Sequence, residues 1–304
     1  MCSGRPQADT GLNSNSTLPY AWMLCGVIAF SVMAALTHML GGLFEWNLVA
    51  TARTGLALTI SAALTYWAGA KFVFWGPRAL WIRSIAGSVS LLCTFYALPR
   101  LPISDVLTLT NMFPIWVALL SWPLVGETPS LSAWLAIALG MVGVVLVAQP
   151  HLVHDEKLPA AMAVVASLST AVSMLGLHRL QQIDPRAIVV HFSFVSLLAC
   201  LASLVVIPQR ALSMSQFDGR SISMLLVVGV TATIGQIFLT KAFAAGSPAK
   251  VSVVALSQVA FAMTFDAVVE GRTFGVVGLI GIALVLAPTA WLIVSAGRFE
   301  SNDL

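Results

Sequence analysis

The run Asn111-Met112-Phe113-Pro114-Ile115-Trp116-Val117-Ala118-Leu119-Leu120-Ser121-Trp122-Pro123-Leu124-Val125-Gly126-Glu127 is apolar almost throughout and closes on an acid. Val254-Ala255-Leu256-Ser257 through Thr264-Phe265-Asp266-Ala267-Val268-Val269-Glu270 repeats the plan. A short polar break and a Gly-rich apolar segment follow each run. Further identities sit at the head of each half. Leu18, Pro19, Ala21, Val32 and His38 match Leu158, Pro159, Ala161, Val172 and His178 at one constant offset. A long apolar chain that repeats itself in this way predicts a membrane protein with internal pseudo-symmetry.

Composition sets the class. Of 304 residues, 59% are hydrophobic and 9% are charged, with a mean hydropathy of +0.94. A soluble domain carries roughly 25% charged residues, so this chain reads as a polytopic membrane protein. The net charge of +3 comes from basic residues scattered over short loops. They form no stripe, which argues against a nucleic-acid partner. Cys2, Cys25, Cys93 and Cys200 lie far apart with no metal-ligand spacing, so no metal and no cofactor is expected. The apolar stretch after the polar start is longer than a signal-peptide core of roughly 7–15 residues. It is read as a retained first span.

A helix needs about 20 apolar residues to cross a bilayer. Breaks at charges, Pro and Gly predict about ten such helices and no strands. They lie near 19–40, 47–67, 79–98, 103–125, 132–149, 159–179, 187–207, 222–244, 248–269 and 274–294. The chain therefore divides into a cytoplasmic tail (1–18), two five-helix repeats (19–149 and 158–294) and a second cytoplasmic tail (295–304). Five helices per repeat is an odd number, so the two copies must be inverted. Lys and Arg in the loops favour both termini inside by a small margin. A multi-pass cell (inner) membrane protein is expected.

Phe95-Tyr96-Ala97-Leu98-Pro99-Arg100-Leu101-Pro102 leading to Asp105, then Pro114 and Gly126-Glu127, resemble the drug/metabolite transporter superfamily in its ten-helix EamA-type form. Lys241-Ala242-Phe243, Ser247, Ser257 and Glu270 echo these residues in the second half, and Arg53 also fits the pattern. Ser257 in place of Pro114, Val269 in place of Gly126, and the extra acid Asp266 depart from it. The resemblance implies a secondary transporter of small organic metabolites and leaves the solute open. Amino-acid-like, vitamin-like and nucleoside-like solutes all suit the amides, aromatics and charges present. The competing classes are a membrane scaffold or sensor and an intramembrane enzyme. No P-loop, HExxH or GxSxG occurs, and no compact reactive set sits at one depth.

Helical spacing gathers the polar residues into faces. Arg83, Gly87, Ser90 and Thr94 share a face of the third span. Thr233, Gln236 and Thr240 share one of the eighth. Ser104, Thr108, Asn111, Ile115, Ala118 and Trp122 line the fourth, and Ser247, Val251, Val254, Gln258, Phe261 and Phe265 the ninth. If these faces converge on a cavity, the amides of Asn111, Gln236 and Gln258 and the hydroxyl of Thr240 can orient a solute. Trp116, Trp122 and Phe265 then offer flat surfaces. Charged groups fall at two depths. His38, Arg53, Asp266 and Glu270 lie toward one side, and Arg83, Lys241, His178, His191 and Glu127 toward the other. They are expected to act as two gates, or else as interfacial anchors. Arg83 and Lys241 are near enough to helix ends to snorkel. Proton coupling through a carboxylate or His is open. The Gly140/Gly143 and Gly278/Gly281 faces suit either packing within the chain or a homodimer contact.

Overall fold

A computed structural model of the chain describes residues 17–97, 100–101, 103–149, 157–206, 216–270 and 275–302. At 38, 103–104, 265–270 and 297–302 it describes the backbone alone. The described residues form helices α1 (Leu18–Gly41), α2 (Trp46–Trp67), α3 (Arg78–Ala97), α4 (Ile103–Thr110), α5 (Phe113–Val125) and α6 (Leu131–Ala148). The second half supplies α7 (Lys157–His178), α8 (Pro185–Val206), α9 (Gly219–Ala245), α10 (Pro248–Ala255), α11 (Ser257–Glu270) and α12 (Val276–Asn302). No strand occurs among them. Without water, a backbone in hydrocarbon must bond to itself, and a helix does so within one segment. Among the described residues nine helical stretches are long and apolar enough to cross a bilayer, and Pro248–Thr264 is a shorter apolar one.

The twelve helices make ten spans because the fourth and ninth are each broken. Between α4 and α5 the Met112 N–H bonds the Leu109 carbonyl and the Ile115 N–H bonds the Met112 carbonyl, both three residues back. Pro114, in the first turn of α5, has no N–H to continue the α-ladder. Between α10 and α11 the break centres on Leu256, whose N–H reaches Val253, while the Val259 N–H reaches Leu256. No proline is present there. The Ser257 hydroxyl donates to the Val254 carbonyl at 2.6 Å. Both breaks are single 3₁₀ tightenings at repeat-matched places.

The packing is also duplicated. α1 lies along α9 as α7 lies along α3. α2 meets α9 as α8 meets α3, and α5 meets α7 as α11 meets α1. Two further pairs, α2 with α8 and α6 with α12, map onto themselves when the halves are exchanged. Nearly every close pair joins one half to the other, so neither repeat buries its helices alone. At the α6–α12 crossing, a Cβ on Gly143 would come within 2.7 Å of the Gly281 carbonyl, and one on Gly281 within 2.8 Å of the Gly143 carbonyl. This small-residue face therefore packs within the chain.

Polarity runs inside out relative to a soluble bundle. On α3, Ile82, Ile85 and Val89 are exposed, and Arg83, Ser84 and Ser88 are buried. Helix ends carry caps where the chain turns. Asp218 accepts from the Ser221 N–H at 2.8 Å to open α9. Gly126 closes α5 at φ +85°, a conformation that favours glycine.

Candidate functional site

The faces expected on the third and eighth spans meet. Arg83 donates from Nη2 to Gln236 Oε1 at 3.0 Å and from Nη1 to Ser173 Oγ at 2.7 Å. Ser173 in turn donates to the Arg83 carbonyl at 3.0 Å. The Phe192 ring covers the guanidinium at 4.3 Å from its centroid. Arg83 is 1% exposed, so it does not snorkel. It turns inward because α7, α8 and α9 supply neutral acceptors and a ring face at the depth where it enters. Gly87 gives it room, since a Cβ there would lie 2.5 Å from Nη1.

Beside this cluster, α3 is stitched to the second half by further polar contacts. Ser84 Oγ meets His191 Nδ1 at 2.8 Å, and Trp81 stands edge-on to the His191 ring at 4.7 Å. Ser88 bonds Ser196 at 2.8 Å, and Ser90 bonds Thr170 at 2.6 Å. Trp116 donates from Nε1 to Ser167 Oγ at 3.0 Å. The partners Ser167, Thr170 and Ser173 recur every three residues on α7. That stripe was the available signal for them, and it escaped because Ser and Thr commonly bond to their own helix.

The gate residues described do not gather at one point. Glu127 Oε1 lies 3.2 Å from His178 Nε2, tying the end of α5 to the end of α7. The Arg179 guanidinium adds a bond to the Leu124 carbonyl. The His178 hydrogen bond, opposed by burial and helped by Ser247 and Lys250, holds the Glu127 carboxyl below the usual carboxylate range. Lys241 stands apart, its Nζ 5.7 Å from the Trp22 ring and 5.8 Å from Phe238. Arg53 is buried on α2 near Cys200, and no acid pairs with it among the described residues. The side chains of His38, Phe265, Asp266 and Glu270 lie outside the described residues.

Of the cavity candidates, Gln236 joins Arg83, and Thr240 is buried one turn along α9 with its hydroxyl unpartnered among the described residues. Asn111 sits at the α4 break and donates from Nδ2 to the Leu107 carbonyl at 2.8 Å, so one of its two amide N–H groups is spent on its own helix. Gln258 is half-buried near the α10–α11 break, and its backbone carbonyl accepts from the Ser31 hydroxyl at 3.2 Å. Trp122 is 69% exposed and does not face the interior with Asn111. The 3₁₀ turn between them shifts the register of the fourth-span face.

Comparison with known proteins fits this architecture. The sequence profile of the EamA-like transporter family matches residues 17–149 and again 157–294. The chain belongs to the EamA-like transporter family. Among relatives of this EamA-like transporter, the pseudopaline exporter CntI of Pseudomonas aeruginosa (strain UCBPP-PA14) is 27% identical over 229 residues, 74% of this chain and 78% of that protein. An uncharacterized transporter of Helicobacter pylori (strain J99) is 23% identical over 213 residues, covering 69% and 72% of the two chains. The probable transport protein YPL264C of Saccharomyces cerevisiae is 25% identical over 271 residues, 76% of each. One solved crystal structure has the same fold, with a TM-score of 0.79 over 93% of this chain and 98% of that one, at 17% identity.

Proposed function

We propose that this EamA-like protein is a secondary transporter of the cell (inner) membrane. It moves a small organic metabolite by alternating access, and export is the direction we favour. The observation that carries this reading is the exchange symmetry of the helix contacts: α1–α9 with α7–α3, and α5–α7 with α11–α1. A bundle built of two equivalent halves has two arrangements of similar energy, which is what rocking about a fixed site requires. The repeat-matched breaks in the fourth and ninth spans supply hinges where the helix ladder is already interrupted. The name of one relative as an exporter supports the direction.

In this reading Glu127 and His178 latch one mouth. The repeat matches them in sequence with Glu270 and His38, which with Arg53 and Asp266 form the opposite gate. Proton coupling runs through these acids and histidines.

The test is flux. Purified protein in liposomes is screened with labelled metabolites at imposed pH gradients. Saturable flux of at least one solute is expected. Folded protein that carries none sinks the reading. For the gate, Arg53→Ala and Asp266→Ala should cut flux while protein level holds. Unchanged flux in both removes it.

A further inference from the structure

We propose that Arg83 is the receptor for a carboxylate on the transported solute, exchanging its bonds to Gln236 and Ser173 for that anion; this rests on the transport reading above. Its guanidinium is permanently charged. It is 1% exposed, yet among the described residues its partners are a hydroxyl, an amide oxygen and a ring face. The ion pair between described residues, Glu127 with His178, involves other side chains. Among the described residues Arg83 Nε has no hydrogen-bond partner. A buried cation without a counter-charge is unfavourable, and an arriving anion removes that penalty. The planar fork of Arg suits a carboxylate, which can take two parallel N–H bonds.

The surroundings are built for this group. Gly87 clears the space beside Nη1, and Gly176 lets α7 approach, a Cβ there falling 3.3 Å from the Arg83 Cβ. Gly87, Ser90 and Thr94 continue along α3 from Arg83 as a half-buried polar face toward Thr170. Arg83 is closed off in this arrangement, so a solute reaches the guanidinium from that face when α3 and α7 part. One fixed positive charge balances one carboxylate, whereas a phosphate dianion would leave a net buried charge.

The location links binding to movement. Arg83 belongs to the first repeat, and Ser173, Phe192 and Gln236 belong to the second. Displacing one half against the other necessarily loosens these bonds. An anion that binds the loosened arrangement better shifts the equilibrium toward it.

The test uses full-length protein in liposomes. The probes are matched pairs, each a labelled N-acetyl-L-amino acid or short monocarboxylate and its neutral amide, with inorganic phosphate alongside. The wild type should carry acids in preference to amides and phosphate. Gln236→Glu supplies an internal carboxylate to Arg83 in nearly the same shape. It should keep or raise thermal stability and lower acid flux at least about 30-fold, the scale of losing a buried charge pair. Arg83→Lys keeps the charge without the fork and should raise KM for the acids. Amides carried as well as acids, a preference for phosphate, or wild-type acid flux in Gln236→Glu overturns the proposal while leaving transport standing. Folded protein that carries none of these probes and none of the wider metabolite panel overturns the transport reading. The carboxylate site is then decided by thermal shift: acids that stabilise the wild type but not Gln236→Glu uphold it, and no stabilisation by any acid overturns it.

Discussion

The α6–α12 seam and the broken spans α4–α5 and α10–α11 are both places where a repeat meets its own copy. They are built differently. At the seam each copy places a glycine against the backbone of the other, Gly143 to Gly281 and back. At the broken spans the copies disagree: Asn111 stands where the second half has Val254, Pro114 where it has Ser257, and Ile115 where it has Gln258. Symmetric backbone contact demands the same small residue on both sides, because a Cβ on either would strike a carbonyl. A bound organic solute has no such symmetry, so the walls around it are free to diverge. On the transport proposal, the difference separates the contact that holds the halves together from walls that are free to diverge around a solute.

The seam is the part most sensitive to change. Gly143→Leu should cost about 3 kcal/mol or more, since the obstructing atoms are backbone and cannot move aside. Thermal unfolding in detergent measures this; a variant as stable as the wild type would show that the seam opens freely. Pro114→Ala should alter stability by less than about 1 kcal/mol, because the proline sits in the first helical turn where it is tolerated. If the break is a hinge, flux should still fall about tenfold, and unchanged flux would make it a mere kink.

Glu127→Gln tests the latch beside the broken fourth span. Its side chain is 42% exposed, so the pair with His178 is worth at most about 1 kcal/mol. The Glu127 carboxyl is held below its ordinary range in the folded protein. The sign follows: its contribution is present above the usual carboxylate range and is lost as pH falls through the lowered value. Glu127→Gln should flatten that acid limb of the stability–pH curve, and an unaltered limb counts against the latch. The smallest effect is expected at Ser257→Ala, about 0.5 kcal/mol or less, since it removes only a back-bond to Val254. Equal flux losses in Ser257→Ala and Pro114→Ala would show that the two breaks act as one device despite their different chemistry.

Much of this was legible beforehand. The spans follow from apolar length, and the helices fall on them within a few residues, except that α12 runs on to Asn302, into the stretch expected as a tail. The Arg83 and Gln236 faces follow from steps of three and four. The break at Leu256 was not legible, because no Pro or Gly marks it and a single 3₁₀ turn leaves the hydrophobic run intact. Trp122 was placed on a continuous fourth-span face, and the break above it turns that face away. Lys241 and Arg83 looked alike in sequence, each near a helix end. One now lies by two aromatic rings and the other is sealed among three helices of the second half.

The sequence by itself determined the class, the ten spans, the duplication and the inversion. These depend on the solvent around the chain and on parity, both of which are local or countable. Only the tertiary structure decided which polar faces meet, because that depends on how the two repeats interlock. Arg83 and Gln236 are far apart along the chain, and the crossing of α3, α7 and α9 brings a fixed charge to neutral partners at one point.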